Sequence, residues 1–303
     1  MYTGRFAPSP TGPLHFGSLV AALASWLDAR AAGGQWLVRI EDLDRARARP
    51  AMADTILRQL EALALEWDRT VLYQSARVDL YRSALDALER GGKVYWCCCT
   101  RREIADSATR FGSVPGSVER AALAYPGTCR DGMRLGSRPR AMRLRTGPGV
   151  VRFVDRLQGP VEQDVGREVG DFVVLRADGM FAYQLAVVVD DAEQGVTDVV
   201  RGADLLDSTP RQIGLQRLLG FPEPRYLHLP VAIDAGGAKL SKQTHADAMA
   251  APLDALNAAL AFLGLAGAPT GGQPRELLGW ALEQWPRHHI PPRRAEFAPA
   301  MER

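Results

Sequence analysis

Residues 5–18, Arg5-Phe6-Ala7-Pro8-Ser9-Pro10-Thr11-Gly12-Pro13-Leu14-His15-Phe16-Gly17-Ser18, constrain the fold more than any other stretch of the chain. They read as the end of a strand, a stiff turn and the opening of a helix. Pro8, Pro10 and Pro13 fix φ and withhold three backbone donors, while Gly12 and Gly17 let the backbone come close to a ligand. The helix that follows, roughly 17–32, places Leu19, Leu23, Trp26 and Leu27 on one face and stops at Gly33-Gly34. Its unpaired N–H groups and the positive end of its dipole point back at the loop, an arrangement that suits a phosphate. His15 sits at the mouth.

The pattern beyond it alternates. Residues 35–40 read as a strand buried on both faces, with Glu41-Asp42-Leu43-Asp44 emerging at its C-terminal end, the edge at which parallel α/β sheets bind ligands. Helices follow at about 52–65 and 77–89, and later a strand at 196–201, a helix near 210–219 and a strand at 226–234. This alternation predicts an α/β chain with a parallel, Rossmann-type sheet. No Gly-x-Gly-x-x-Gly fingerprint is present, which disfavours a dinucleotide. Near Tyr95-Trp96 the pattern changes to Cys97-Cys98-Cys99, then to a capping box at Thr100 and Glu103. Gly/Ser/Pro/Arg-rich sequence runs to about Pro148, after which strands are predicted at 149–155, 171–176 and 180–189. Ala177-Asp178-Gly179 is read as joining the last two in a hairpin. The expected organisation is a catalytic first half at 1–96, an inserted α+β subdomain at 97–185, a second half at 186–245 and a short helical C-terminal tail at 246–303.

Composition decides less than distribution. With 47% hydrophobic and 24% charged residues the chain can bury a large core, and its net charge of +2 does not by itself announce a nucleic-acid binder. Between Thr100 and Arg145, however, ten arginines face four acids, a local excess of six. The run Leu19 to Leu27 is too short to span a bilayer and no basic leader precedes it, so no membrane association and a cytoplasmic location are expected. Only Lys93, Lys239 and Lys242 are lysines, against 34 arginines, and two of the three fall in Lys239-Leu240-Ser241-Lys242-Gln243. A compact mobile charge kept in one pentapeptide of an Arg-rich chain suits a polyphosphate. All four cysteines lie between 97 and 129. Cys97, Cys99 and Cys129 can supply three thiolates to a tetrahedral zinc ion, with Cys98 pointing away if the segment is extended; plain structural cysteine is the alternative, and the fourth ligand is open.

His15-Phe16-Gly17-Ser18 resembles the HIGH signature of class I aminoacyl-tRNA synthetases, and Lys239 to Gln243 resembles their KMSKS signature. The flanks Arg5 to Gly12, Ile40-Glu41-Asp42-Leu43-Asp44, Val189-Asp190-Asp191 and Val200-Arg201-Gly202-Ala203-Asp204 are similar to the glutamyl branch. The resemblance runs from about residue 3 to 245 and departs from consensus at Phe16, Ser18, Leu240 and Gln243. These departures and the short length point to the truncated paralogues of that branch.

The resemblance implies a Rossmann-type class I catalytic domain that uses ATP with magnesium to activate L-glutamate. The acceptor it implies is queuosine in the anticodon of tRNA(Asp), because the normal enzyme reads the anticodon with a C-terminal domain for which 60 residues after Gln243 leave no room. The runners-up are acylation of the 3′ end of tRNA(Glu) and a catalytically silent RNA-binding paralogue. Residue by residue it places His15, Lys239 and Lys242 at the chemistry, and His15, Gly17, Ser18 and Lys242 at ATP. Arg5, Ala7, Ser9, Glu41, Tyr183 and Arg201 are placed at glutamate, the arginines for its carboxylates and Glu41 for its ammonium. Asp190, Asp191 and Asp204 are expected to be structural or to contact ribose. The pattern C-x-C, then Y-x-x-x-C, matched by Tyr125 to Cys129, makes Tyr125 the fourth ligand of one structural zinc. No obligate protein partner is implied.

Overall fold

The computed structural model describes residues 1–104, 124–233, 251–265, 267, 269, 271–285 and 290–297. Lys239 and Lys242, with the rest of their pentapeptide, lie outside the described residues, as do His288 and His289. The strand β1 (Thr3–Phe6) pairs in parallel with β2 (Gln35–Ile40), and β2 with β3 (Leu72–Tyr73). A second parallel pair joins β9 (Asp198–Gly202) to β10 (Arg225–Leu229). The Thr197 N–H donates to Thr3 O at 2.9 Å and the Thr3 N–H to Thr197 Oγ1 at 2.9 Å, which sets β9 beside β1. The C-terminal ends of β1, β2 and β9 therefore open on the same side, as expected for this α/β class.

Helix α1 (Phe16–Ala31) covers one face of that sheet, followed in the chain by α2 (Pro50–Ala62) and α3 (Val78–Arg90). Leu19, Leu23 and Leu27 of α1 are buried against a core that includes Phe6, Trp36, Val38 and Ile40. Each such side chain contributes about 1.5–3 kcal/mol of burial. The helices α6 (Pro252–Phe262) and α7 (Pro274–Gln284) add Leu256, Leu260, Leu277 and Leu278 to the same core, and Phe16 meets Phe262 edge-on at 5.7 Å. The tail helices are thus seated on the helix that follows the Pro/Gly loop.

Between the parallel pairs run β4 (Val94–Cys97), β5 (Ala141–Leu144) and β8 (Val173–Leu175), an antiparallel sheet in the order β4-β5-β8. A separate hairpin is formed by β6 (Val151–Asp155) and β7 (Gly159–Gln163). The capping box holds: Thr100 N–H donates to Glu103 Oε2 at 2.8 Å and Glu103 N–H to Thr100 Oγ1 at 3.2 Å.

One predicted element has the wrong type. Residues 180–189 are not the second strand of a hairpin: Leu175 and Phe181 form a single antiparallel bridge, and the chain then enters α4 (Tyr183–Glu193). Leu185 to Asp191 are all buried, and a helix that is apolar around most of its circumference shows no periodicity to distinguish it from a buried strand. The predicted strand 226–234 is split at Pro230 into β10 and β11 (Val231–Ile233), since proline cannot donate to a ladder. β11 pairs in parallel with β12 (Ala295–Phe297), a strand within the tail that was expected to be helical. The expected helix at 210–219 appears as α5 (Thr209–Leu219). Among the described residues no helix is long and apolar enough to cross a membrane.

Candidate active site

The loop after β1 is held from both sides. Glu41 N–H donates to Pro8 O at 2.9 Å and Arg49 N–H to Pro10 O at 2.9 Å, so the segment after β2 is tied to the prolines. Leu14 N–H donates to Gln59 Oε1 of α2 at 2.8 Å. His15 is the N-cap of α1: its Nδ1 accepts the Ser18 N–H at 3.3 Å, and its Nε2 lies 2.9 Å from Ser18 Oγ. A Cβ on Gly17 would stand 3.4 Å from the imidazole, so the ring lies directly against this first turn. No acidic side chain lies in the first turn of α1, so the positive helix end is not neutralised from within the helix.

Across the strand ends the other candidates converge. Arg5 comes from β1, Glu41 follows β2, Arg201 comes from β9 and Tyr183 opens α4. Arg201 Nη1 donates to Tyr183 Oη at 3.4 Å. Burial raises the Tyr183 phenol, opposed by the charges of Arg201 and Arg5 and reinforced by Glu41. Ala7 and Ser9 lie on the adjoining loop, Ser9 exposed.

Beneath this locus is a buried ionic network that sequence reasoning did not foresee. Arg5 Nε and Nη2 reach the two oxygens of Asp191 at 3.2 and 3.4 Å. Arg39, fully buried in β2, donates from Nη1 to Asp191 Oδ1 at 2.8 Å and to Gln194 Oε1 at 2.6 Å, and from Nη2 to Glu41 Oε1 at 3.4 Å. Asp190 accepts from Gln74 at 2.7 Å, from Arg77 at 2.7 Å and from Tyr81 at 2.8 Å. Asp190 and Asp191 are therefore scaffold to their arginines. Burial pushes the Glu41 carboxyl up to about 7; Arg39 and Arg5 oppose this, and Asp191 and Asp190 add to it. The available clue was alternation: Leu37 and Arg39 share one face of β2, Glu41 follows at the same spacing, and a cation on an otherwise apolar strand needs buried partners.

Arg201 is held differently. Its Nε donates to His228 Nε2 at 3.0 Å, and its Nη2 donates to Thr209 Oγ1 at 2.8 Å and to Gln212 Oε1 at 2.8 Å. Every one of these partners is neutral, and among the described residues no carboxylate makes an ion pair with this 5% exposed guanidinium. A carboxylate entering beside Tyr183 would supply the missing counter-charge. His228 in turn lies 2.6 Å through Nδ1 from Asp155 Oδ2. Burial, reinforced by Arg201 and opposed by Asp155, pushes the imidazole down to about 4 and keeps it neutral.

The three sulfurs of Cys97, Cys99 and Cys129 lie within 4.8 Å of one another. Tyr125 Oη is 3.4 Å from Cys97 Sγ and 3.7 Å from Cys99 Sγ, and it accepts the Cys129 N–H at 2.9 Å. Zinc–sulfur bonds of about 2.3 Å at tetrahedral angles set sulfurs about 3.8 Å apart, so this donor set fits a metal. Cys98 does not point away as expected: its Sγ is 3.6 Å from Cys129 Sγ. The ladder of β4 ends at Cys97, so strand alternation does not carry through the next residue. The Arg-rich stretch also changes meaning in part, since Arg143 is buried over the Tyr125 ring at 3.8 Å and donates to Asp171 O at 2.7 Å.

Comparison with known proteins identifies the family. The family described as "tRNA synthetases class I (E and Q), catalytic domain" matches residues 2–271. A protein of Dechloromonas aromatica named glutamyl-Q tRNA(Asp) synthetase is 56% identical over 99% of this chain and 99% of its own length. One of the same name from Aromatoleum aromaticum is 56% identical over 96% of this chain and 90% of its own. Among solved structures, a glutamate tRNA ligase from Elizabethkingia meningosepticum in complex with its amino acid superposes with a TM-score of 0.68 at 26% identity. That match covers 80% of this chain, which spans about half, 52%, of the ligase.

Proposed function

Because the chain belongs to the class I tRNA synthetase (E and Q) catalytic-domain family, we propose that it activates L-glutamate with ATP and transfers it to queuosine in the anticodon of tRNA(Asp). It is an enzyme of the ligase type, with magnesium arriving on ATP. The observation that carries the acceptor is the pair of likenesses: 56% identity along nearly the whole chain to relatives named glutamyl-Q tRNA(Asp) synthetase, against 26% and half coverage for a glutamate tRNA ligase. A cytoplasmic location goes with this reading.

Activation is attack by an oxygen of the glutamate α-carboxylate on the α-phosphorus, with the bond to the β-phosphate breaking and pyrophosphate leaving. The nucleophile is already ionised, so the task is positioning and charge neutralisation. Glu41 takes the ammonium, Arg201 and Tyr183 the side-chain carboxylate, and Arg5, Ala7 and Ser9 complete the amino-acid wall. ATP lies over the α1 N-terminus at Gly17 and Ser18, with His15, Lys239 and Lys242 meeting the charge that develops on the phosphates. In the second step a hydroxyl oxygen of the queuosine cyclopentenediol attacks the acyl carbon, AMP leaves and the hydroxyl proton passes to solvent. Zinc held by Cys97, Cys99, Cys129 and Tyr125 would be structural, fastening the end of β4 to the 124–130 segment.

The test compares tRNA(Asp) carrying queuosine, tRNA(Asp) carrying guanosine and tRNA(Glu) as acceptors of labelled glutamate. Only the first is expected to be charged; equal charging of tRNA(Glu) would overturn the assignment.

A further inference from the structure

The geometry points to Asp155 and His228 as positioning residues that set the hydrogen-bond polarity of Arg201 and so tune its grip on the substrate carboxylate, a role we propose on the reading that Arg201 binds glutamate. Among the described contacts neither residue hydrogen-bonds to the Arg5–Asp191 network, and neither is among the residues assigned above to substrate.

The argument is one of proton bookkeeping along three side chains. A guanidinium Nε can only donate, so at 3.0 Å His228 Nε2 must accept. The ring proton of the neutral imidazole then sits on Nδ1, where Asp155 Oδ2 receives it at 2.6 Å. The other oxygen, Oδ1, accepts three backbone N–H groups, from Leu157 at 3.0 Å, Gln158 at 2.9 Å and His228 at 3.1 Å. Asp155 is 2% and His228 0% exposed, so water cannot substitute for either partner. Thr209 Oγ1, which accepts from Arg201 Nη2, lies 3.2 Å from the same Nε2 and can donate to it, so the carboxylate fixes the tautomer and the tautomer fixes the face that Arg201 and Thr209 meet. With Nε held by His228 and Nη2 by Thr209 and Gln212, Nη1 beside Tyr183 is the remaining nitrogen with only one long contact, 3.4 Å.

The arrangement also spans separate parts of the fold. Asp155 ends β6, His228 lies in β10 and Arg201 in β9. Gln158, in the turn between β6 and β7, donates through Nε2 to His228 O at 2.8 Å. The β6–β7 hairpin is thereby fastened to the strand that orients Arg201.

Asp155→Asn tests the idea with no change of shape. Its amide oxygen can keep the three backbone N–H groups, while its NH2 faces His228 Nδ1 and donates to it. The ring proton moves to Nε2, where it stands donor against donor with the Arg201 Nε–H and can turn only to Thr209 Oγ1, 3.2 Å away and already accepting from Arg201 Nη2. Such a buried mismatch weakens binding by about 10- to 100-fold. In glutamate-dependent pyrophosphate exchange the KM for glutamate is expected to rise by that factor while the KM for ATP moves less than about threefold. Ring 15N shifts should report Nδ1–H in the parent protein and Nε2–H in the variant. His228→Gln, which can accept from Arg201 through its amide oxygen, should recover part of the affinity that His228→Leu loses. A wild-type glutamate KM in Asp155→Asn, a parallel rise in both KM values, or an Nε2–H tautomer in the parent would overturn the proposal. Arg201→Lys separates the two levels: if it leaves the glutamate KM unchanged the assignment of Arg201 fails, whereas a large effect there with none in Asp155→Asn removes only the positioning role.

Discussion

Glutamate binding to the free protein should weaken as the pH falls through 7, because the group assigned to the ammonium titrates there. Glu41 has its carboxyl pushed from 4.5 to about 7, first by burial and then by Asp191 and Asp190, against Arg39 and Arg5. Only the ionised form can pair with an ammonium. A site with that midpoint is about 90% ionised at pH 8 and about 10% at pH 6, so affinity should fall about tenfold between them. The α-ammonium and both carboxylates of glutamate keep their charges over this range, so the slope belongs to the protein. Calorimetric titration of glutamate without ATP measures it directly, at constant ionic strength. Glu41→Gln should bind more weakly at pH 8 and show no slope. The linked effect on stability has the opposite sense: a raised carboxyl favours the folded state below about 4.5, and that contribution is lost as the pH rises through 7. A flat binding profile in the parent protein, or an unchanged slope in Glu41→Gln, would refute the assignment of the ammonium to Glu41.

Other consequences follow from the buried network and from the roles assigned above. Arg39→Met leaves Asp191 and Glu41 short of a buried cation and should cost about 3–5 kcal/mol in urea unfolding, whereas a loss below 1 kcal/mol would show that the network is dispensable. His15→Ala and Lys242→Ala should each slow adenylate formation by about 100- to 1,000-fold with little change in ATP affinity, read by pyrophosphate exchange and nucleotide titration; wild-type rates in either would remove that residue from the chemistry. Elemental analysis should find about one zinc per chain, lost in Cys129→Ser; the 3.6 Å approach of Cys98 to Cys129 makes retention in Cys98→Ser the informative half of the pair.

Much of the parallel sheet was legible because its elements are bounded by strong local signals. The strand at 35–40 and the helix after the Pro/Gly loop coincide with β2 and α1 to within a residue, since Gly33-Gly34 and the prolines punctuate them. α4 was not legible, because Val187-Val188-Val189 satisfies a buried strand and a buried helix equally and only tertiary packing separates them. β5 was hidden by its arginine: Arg143 lies in a strand because its guanidinium finds the Tyr125 ring and a backbone carbonyl, partners distant in sequence or absent from any local pattern. The site shows the same division. Arg5, Glu41 and Arg201 could be named from motifs, yet Arg39, Asp155 and His228 could not, because their meaning lies in contacts across strands rather than in spacing.

The most direct test of the account is where on the tRNA the glutamate is attached. Labelled glutamate should be transferred to queuosine-containing tRNA(Asp) whose 3′ adenosine has been removed, and nuclease digestion should recover the label on the anticodon fragment. Label recovered on the terminal adenosine, or abolished by trimming the 3′ end, would contradict the central claim.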